Sequence, residues 1–284
     1  LPDLYQQMGQ ALDIHTEKGD FQSVGELLDD YIRHLGEKPR YIRTGLSKLD
    51  ENLHLVPGNY FVIGGRPSAG KTALSLQLAA GMAKQGKRVC YFSLETDPAT
   101  LQARLIANQL YAPLSAVKNK TLSINELDRL ADMKRWPLYI RSAAGKGVAW
   151  IKAQALRMKA DIIFVDYLQL IHERGSSDRY NAITEISIAL HELAQTTGIL
   201  VVALAQLNRN AARAEPSNAD LRESGQIEQD ADAILLLSAD GDTYFSRLTK
   251  NKEGRVGNAG LEFDKMTQHF TCAVSYTHLT LPTT

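Results

Sequence analysis

The chain has 284 residues, 44% of them hydrophobic, enough for one large domain with an appendage. Its 32 Lys and Arg balance 32 Asp and Glu, so no global basic field exists for nucleic acid, and any grip on a phosphate backbone must come from local clusters. No apolar run approaches the ~20 residues that span a bilayer, no signal peptide is visible, and Cys90 and Cys272 form no metal-ligand pattern, which fits a reducing, cytoplasmic setting without a membrane.

The chain opens on Leu1 rather than Met, as a piece of a longer protein would. Residues 1–38 read as a helical lead-in, with apolar positions at helical spacing in "VGELLDDYIRHL" before the breaker "GEKPR". Such a helix cannot bury its face alone, so it must dock on its own core or on a neighbour. From Tyr41 onward, the strand-like runs "NYFVIG", "RVCYFSL", "PLYIR", "DIIFVDYLQL", "GILVVALAQ" and "DAILLLS" alternate with helical stretches. These include "KTALSLQLAAGMAKQ", "ATLQARLIANQL", "INELDRLADMKRW" and "AITEISIALHELAQTT". Alternation of this kind predicts an α/β fold, a mostly parallel central sheet flanked by helices. The stretch "YFSRLTKNKEGRVGNAGLEFDKM" reads as a C-terminal β-hairpin added to the sheet edge. "VSYTHLTLPTT" resembles translated sequencing-adapter read-through and is set aside from the fold. The expected organisation is a lead-in over 1–38, an α/β domain over 39–271 and a non-native tail over 272–284.

The segment "GRPSAGKT" comprises Gly65, Arg66, Pro67, Ser68, Ala69, Gly70, Lys71 and Thr72, and fits G-x-x-x-x-G-K-[ST] between a strand and a helix. Backbone N–H groups of such a loop turn inward on phosphate oxygens, and the helix N-terminus adds partial positive charge. Lys71 would reach the outer phosphates and the Thr72 hydroxyl would coordinate Mg2+.

Three apolar runs end in polar residues: Glu95, Asp166 and Gln206. In an open parallel sheet, ligands sit beyond the carboxyl ends of the strands, so all three would meet the phosphates. Asp166 would hold Mg2+ through its water shell, though it could equally cap a turn. Glu95 would act as general base on the attacking water, though "ETDP" also looks like a helix start. Gln206 would hydrogen-bond the γ-phosphate or that water, or simply close its strand.

In this order the motifs resemble the motor domain of the DnaB-type replicative helicases, a hexameric branch of the RecA-like ATPases. The resemblance covers Thr44 to Phe270 and rests on "TGLSKLD", "GRPSAGKTAL", "SLE", "FVDYLQL", "ALAQLNR" and, most discriminating, "DLRESGQIEQDAD". It implies a RecA-like P-loop NTPase that uses ATP and Mg2+ to translocate on single-stranded DNA as a homo-oligomeric ring, with a primase and a helicase loader as partners. It assigns the cis half of the ATP site to Lys71, Glu95, Asp166 and Gln206, and a nucleotide contact to Arg104. It also assigns a DNA-gripping loop to Arg222, Glu223 and Gly225, and gives the lead-in the place of a linker helix docked on the adjacent subunit.

Two departures stand out. Only a helical lead-in precedes the motor where the family carries a helical domain, as in a truncated or phage-like member. The family's hairpin offers a Lys and, two residues on, an Arg to the neighbouring subunit's γ-phosphate, whereas "TKNKEGRVG" offers Lys250 and Lys252. Lysine keeps the charge but lacks the bidentate fork, which leaves Lys252 or Arg255 to act in trans. A recombination or repair ATPase, or an ATP-dependent assembly module with little turnover, remains open beside the ring helicase.

Overall fold

The computed structural model describes residues 23–37, 41–172, 179–207, 217–221, 225–240 and 243–272. The chain forms two compact units, residues 1–40 and 41–284. In the first, helix α1 (Val24–Arg33) starts at a capping box: Ser23 Oγ accepts from Glu26 N at 3.2 Å, and the Glu26 carboxylate accepts from Ser23 N at 2.8 Å. Val24, Leu27, Leu28 and Tyr31 fall on one stripe, and all are exposed.

The second unit is built on an eight-stranded sheet. Six parallel strands come first in the chain: β1 (Tyr60–Gly65), β2 (Val89–Ser93), β3 (Leu138–Ser142), β4 (Ile162–Asp166), β5 (Leu200–Gln206) and β6 (Ala233–Asp240). They stand in the order β3-β2-β4-β5-β1-β6. Two antiparallel strands, β7 (Thr243–Asn251) and β8 (Gly257–Asn258), extend it beyond β6. Every residue of β1, β2 and β4 is buried, as continuous apolar runs must be in a sheet covered on both faces.

Alternate residues of β1 serve opposite faces. Phe61 and Ile63 join a core with Leu74, Leu76 and Leu78 of α3 (Lys71–Lys84), which follows α2 (Ser47–Asp50) in the chain. Tyr60 and Val62 pack with Ile151 and Leu190 on the other face. The remaining helices are α4 (Pro98–Leu110), α5 (Leu114–Lys118), α6 (Ile124–Met133), α7 (Val148–Arg157), α8 (Arg179–Thr197) and α9 (Gly225–Asp230). Among the described residues, no helix is long and apolar enough to cross a membrane.

The alternating reading of the sequence holds for the six parallel strands, with three differences. "DIIFVDYLQL" is strand only to Asp166, and Leu168–Leu170 forms a 3-10 turn where the neighbouring ladder ends. Residues 148–157, unassigned in the sequence, form α7, with Val148, Ile151 and Ala155 buried at helical spacing. The last stretch does not form a single edge hairpin. Within it "LEFD" leaves the sheet as β9 (Leu261–Asp264) and pairs with β10 (His269–Cys272) in a separate two-stranded sheet. The physical reason is burial: Leu261 and Phe270 enter the α3-side core. The Gln77 carboxamide on α3 fixes the pair, donating to Phe270 O at 2.8 Å and accepting from Phe270 N at 2.7 Å.

Candidate nucleotide site

Strand β1 ends at Gly65 and α3 begins at Lys71, so residues 66–70 form a loop at the carboxyl edge of the sheet. Gly70 carries φ 84°, and a Cβ there would lie 2.9 Å from Phe270 Cζ, so glycine alone serves this position. Lys71 Nζ donates to Gly65 O at 2.7 Å and Arg66 O at 2.9 Å, which holds the ammonium over the loop. Burial lowers its pKa to about 8, with Asp166 and Glu95 pulling the other way.

Strand register brings the polar ends together. Gly65 pairs with Gln206, and Ser93 pairs with Asp166. Thr72 Oγ1 donates to Asp166 Oδ2 at 2.9 Å, and the same oxygen accepts from Tyr91 OH at 2.9 Å. Burial raises the Asp166 pKa, opposed by these two hydrogen bonds and by Lys71. Both of those bonds come from side chains. The peptide that follows it, Asp166–Tyr167, is cis.

Glu95 stands exposed on a turn that Ser93 shapes, its Oγ donating to Thr96 O at 2.6 Å and accepting from Thr96 N at 3.1 Å. Asp97, not Glu95, caps α4 by accepting from Thr100 N at 2.9 Å. The carboxylate of Glu95 is left to face the cleft. That cleft, about 720 Å³, is lined by Pro67, Ser68, Gly70, Lys71, Thr72, Glu95, Arg104, Asp166 and Gln206. Arg104 thus joins the group from α4.

The cations of "TKNKEGRVG" lie elsewhere. Lys250 pairs with Ile234 and Asn251 with Ala233 near the start of β6, whereas Gly65 pairs with Leu237. Three residues of strand are roughly 10 Å, so these cations sit toward the opposite edge from their own cradle. Lys250 Nζ donates to Glu228 O and to Gln229 O at the end of α9, and Lys252 Nζ pairs with Asp232 Oδ1 at 2.7 Å. Arg255 is exposed and makes no ion pair among the described residues. Gly225 opens α9, while Arg222 and Glu223 lie outside the described residues.

Several lining residues had no local signal. Phe263, Lys265 and Gln268 line the cleft only because β9 pairs with β10 beside it. Gln169 grips the main chain of Gln206, and a polar residue inside the apolar "DYLQL" was the one available hint.

Phosphate loop, Thr–Asp pair and strand-end Gln on one edge of a parallel sheet define a RecA-like P-loop nucleotide-binding domain. More specifically, the chain belongs to the DnaB-like helicase C terminal domain family, which matches residues 41–272. It is 35% identical over 249 residues to the replicative DNA helicase DnaB of Treponema pallidum (strain Nichols), covering 81% of this chain and 56% of that one. The chain therefore spans about half the length of that relative. Among solved structures, one described as an ATPase domain superposes with a TM-score of 0.82 at 28% identity, over 90% of this chain and 100% of that one. A DnaB-like replicative helicase, described with its interactions with primase, gives 0.82 at 26% identity over 95% and 71%.

Proposed function

We propose that this chain is the motor of a replicative DNA helicase: an ATP hydrolase that works in the cytoplasm as a homo-oligomeric, hexameric ring, translocates on single-stranded DNA and unwinds the duplex ahead. The observation that carries the reading is the Thr72–Asp166 pair beside Lys71, with the Glu95 carboxylate facing the same cleft. The DnaB-type relatives support it.

The donor set fits Mg2+. Thr72 and Asp166 offer hard oxygens, and no group of three His, Cys, Asp or Glu among the described residues could hold a metal without phosphate and water. Bound there, the ion would neutralise charge building on the β- and γ-phosphates. Lys71 exchanges its two carbonyl partners for outer phosphate oxygens. Glu95 orients the attacking water and takes its proton, and the Gln206 amide donates to the γ-phosphate or that water. Gly65, Arg66, Ser68 and Ala69 shape the cradle, and Arg104 contacts the nucleotide.

A neighbouring copy supplies the other half of the site from Lys250, Lys252 and Arg255. Their placement away from their own cradle supports action in trans. The exposed stripe of α1 suits docking on an adjacent subunit, and Arg222, Glu223 and Gly225 are the candidates for gripping DNA phosphates. A primase and a helicase loader are the expected partners.

ATP turnover measured with and without single-stranded DNA, followed by unwinding of a forked duplex, tests the proposal. Strong stimulation and fork opening are expected, both lost in Lys71→Ala. Stimulated turnover without unwinding would move the assignment to a recombination or repair ATPase, and tight binding without turnover to an assembly module.

A further inference from the structure

A line of oxygens runs inward from the cleft into the α3-side core. Thr72 and Asp166 begin it, and the phenol of Tyr91 and the hydroxyl of Ser75 continue it, both at 0% exposure. Tyr91 OH lies 2.9 Å from Asp166 Oδ2, and Ser75 Oγ lies 2.8 Å from Tyr91 OH. The Tyr91 ring stacks on Phe164 of the adjoining strand at 5.7 Å and 10°, so the hydroxyl has little freedom to swing away.

The direction of donation follows from counting protons. A charged Asp166, the form that holds a cation, can only accept, so Tyr91 OH donates to it. The phenolic oxygen then needs a donor, and Ser75 Oγ is the group in reach. Ser75 also lies 3.0 Å from Thr72 O, the ordinary helix partner of a serine, and so sits where it can turn to either. A phenylalanine would fill the same space, so packing does not require the hydroxyl. A buried hydroxyl without a partner is itself costly.

We infer that Tyr91, supported by Ser75, is a positioning residue for the divalent cation: with Thr72 it anchors Asp166 Oδ2, fixes the carboxylate plane and leaves Oδ1 for the cation's water shell. The inference rests on the nucleotide-site reading above and goes beyond it by adding a second layer to that site. Two donors on one carboxylate oxygen hold the plane against rotation, which one donor does not. The second layer of a metal site sets the affinity of the first in this way.

The test is equilibrium binding of a fluorescent ADP analogue, titrated with Mg2+ and repeated in EDTA, alongside thermal melting. Tyr91→Phe is expected to bind as wild type in EDTA while its half-saturating Mg2+ rises about tenfold, the scale of one hydrogen bond to a charged group. Ser75→Ala should raise it less. The double variant should match Tyr91→Phe alone, because Ser75 acts through the phenol. Half-saturating Mg2+ within twofold of wild type in Tyr91→Phe, whatever its melting temperature, overturns the inference, as do additive effects of the two substitutions. Wild type that binds no analogue in either condition would instead overturn the nucleotide reading beneath it.

Discussion

The carboxamide of Gln169 clasps the main chain of Gln206 at two points, Nε2 donating to Gln206 O at 3.0 Å and Oε1 accepting from Gln206 N at 3.1 Å. The β4–β5 ladder is paired as far as Val165 and Ala203, so a side chain takes over where backbone pairing stops. The residue proposed to read the γ-phosphate is thereby tied to the turn that follows Asp166. Gln169→Ala is expected to lower kcat about tenfold with little change in KM, and to destabilise the domain by about 1–3 kcal/mol. Steady-state ATP kinetics and denaturant melts check both parts. A raised KM at constant kcat would place Gln169 in ground-state binding instead.

Lys71 is expected to set a pH dependence of nucleotide affinity. Burial disfavours the charge of its ammonium and lowers its pKa to about 8. A phosphate beside it favours the charge and raises that pKa. Binding therefore takes up a proton above pH 8, and affinity falls as pH climbs, by up to about tenfold per unit. Below pH 8 this group contributes no slope. Dissociation constants measured from pH 6.5 to 9.5 should show the break, and a flat profile would count against the contact.

Glu95→Gln keeps the volume of the side chain and removes its basicity. Nucleotide binding should stay at the wild-type level while turnover drops about 10²–10⁴-fold. Single-turnover hydrolysis separates the two, and wild-type turnover in this variant would remove Glu95 as the base.

The three trans candidates differ in what already holds them. Lys250 is bonded to the end of α9, Lys252 to Asp232, and Arg255 to no acid among the described residues. Arg255→Ala should therefore reduce oligomer turnover by about 10³-fold, the scale of a transition-state arginine. Lys252→Ala should cost less, since Asp232 already engages its ammonium at 2.7 Å. Mixing each variant with Lys71→Ala subunits assigns the defect. Loss in trans appears as restored activity at interfaces where intact halves meet, and no restoration for Arg255→Ala would return the role to Lys252.

The tip that carries these cations is held against residues 52–54. Asn251 Nδ2 donates to Asn52 O at 2.7 Å, and a Cβ on Gly254 would fall 2.0 Å from that same oxygen. Gly254→Ala should cost about 1–3 kcal/mol, read as a lower melting temperature with the nucleotide affinity of the isolated subunit unchanged.

Much of the site was legible because its parts are local. The cradle from Gly65 to Thr72 is one contiguous segment whose glycines and lysine carry their own geometry. Glu95, Asp166 and Gln206 each close an apolar run, and parallel strands put such ends on one edge. Other residues had no comparable sign. Tyr91 and Ser75 read as ordinary members of an apolar strand and an apolar helix, and only the packing of α3 on the sheet brings their oxygens to Asp166. Phe263 reads as an edge-strand residue until β9 leaves the sheet.

By itself, then, the sequence determined the alternation of strand and helix, the phosphate loop and the polar strand ends, because backbone period and turn chemistry act over a few residues. The tertiary structure alone decided which strand adjoins which, that the β9–β10 unit lines the cleft, and that Lys250, Lys252 and Arg255 stand away from it. Those outcomes depend on competition for burial and hydrogen bonds between residues far apart in the chain, such as Gln77 with Phe270 and Lys252 with Asp232.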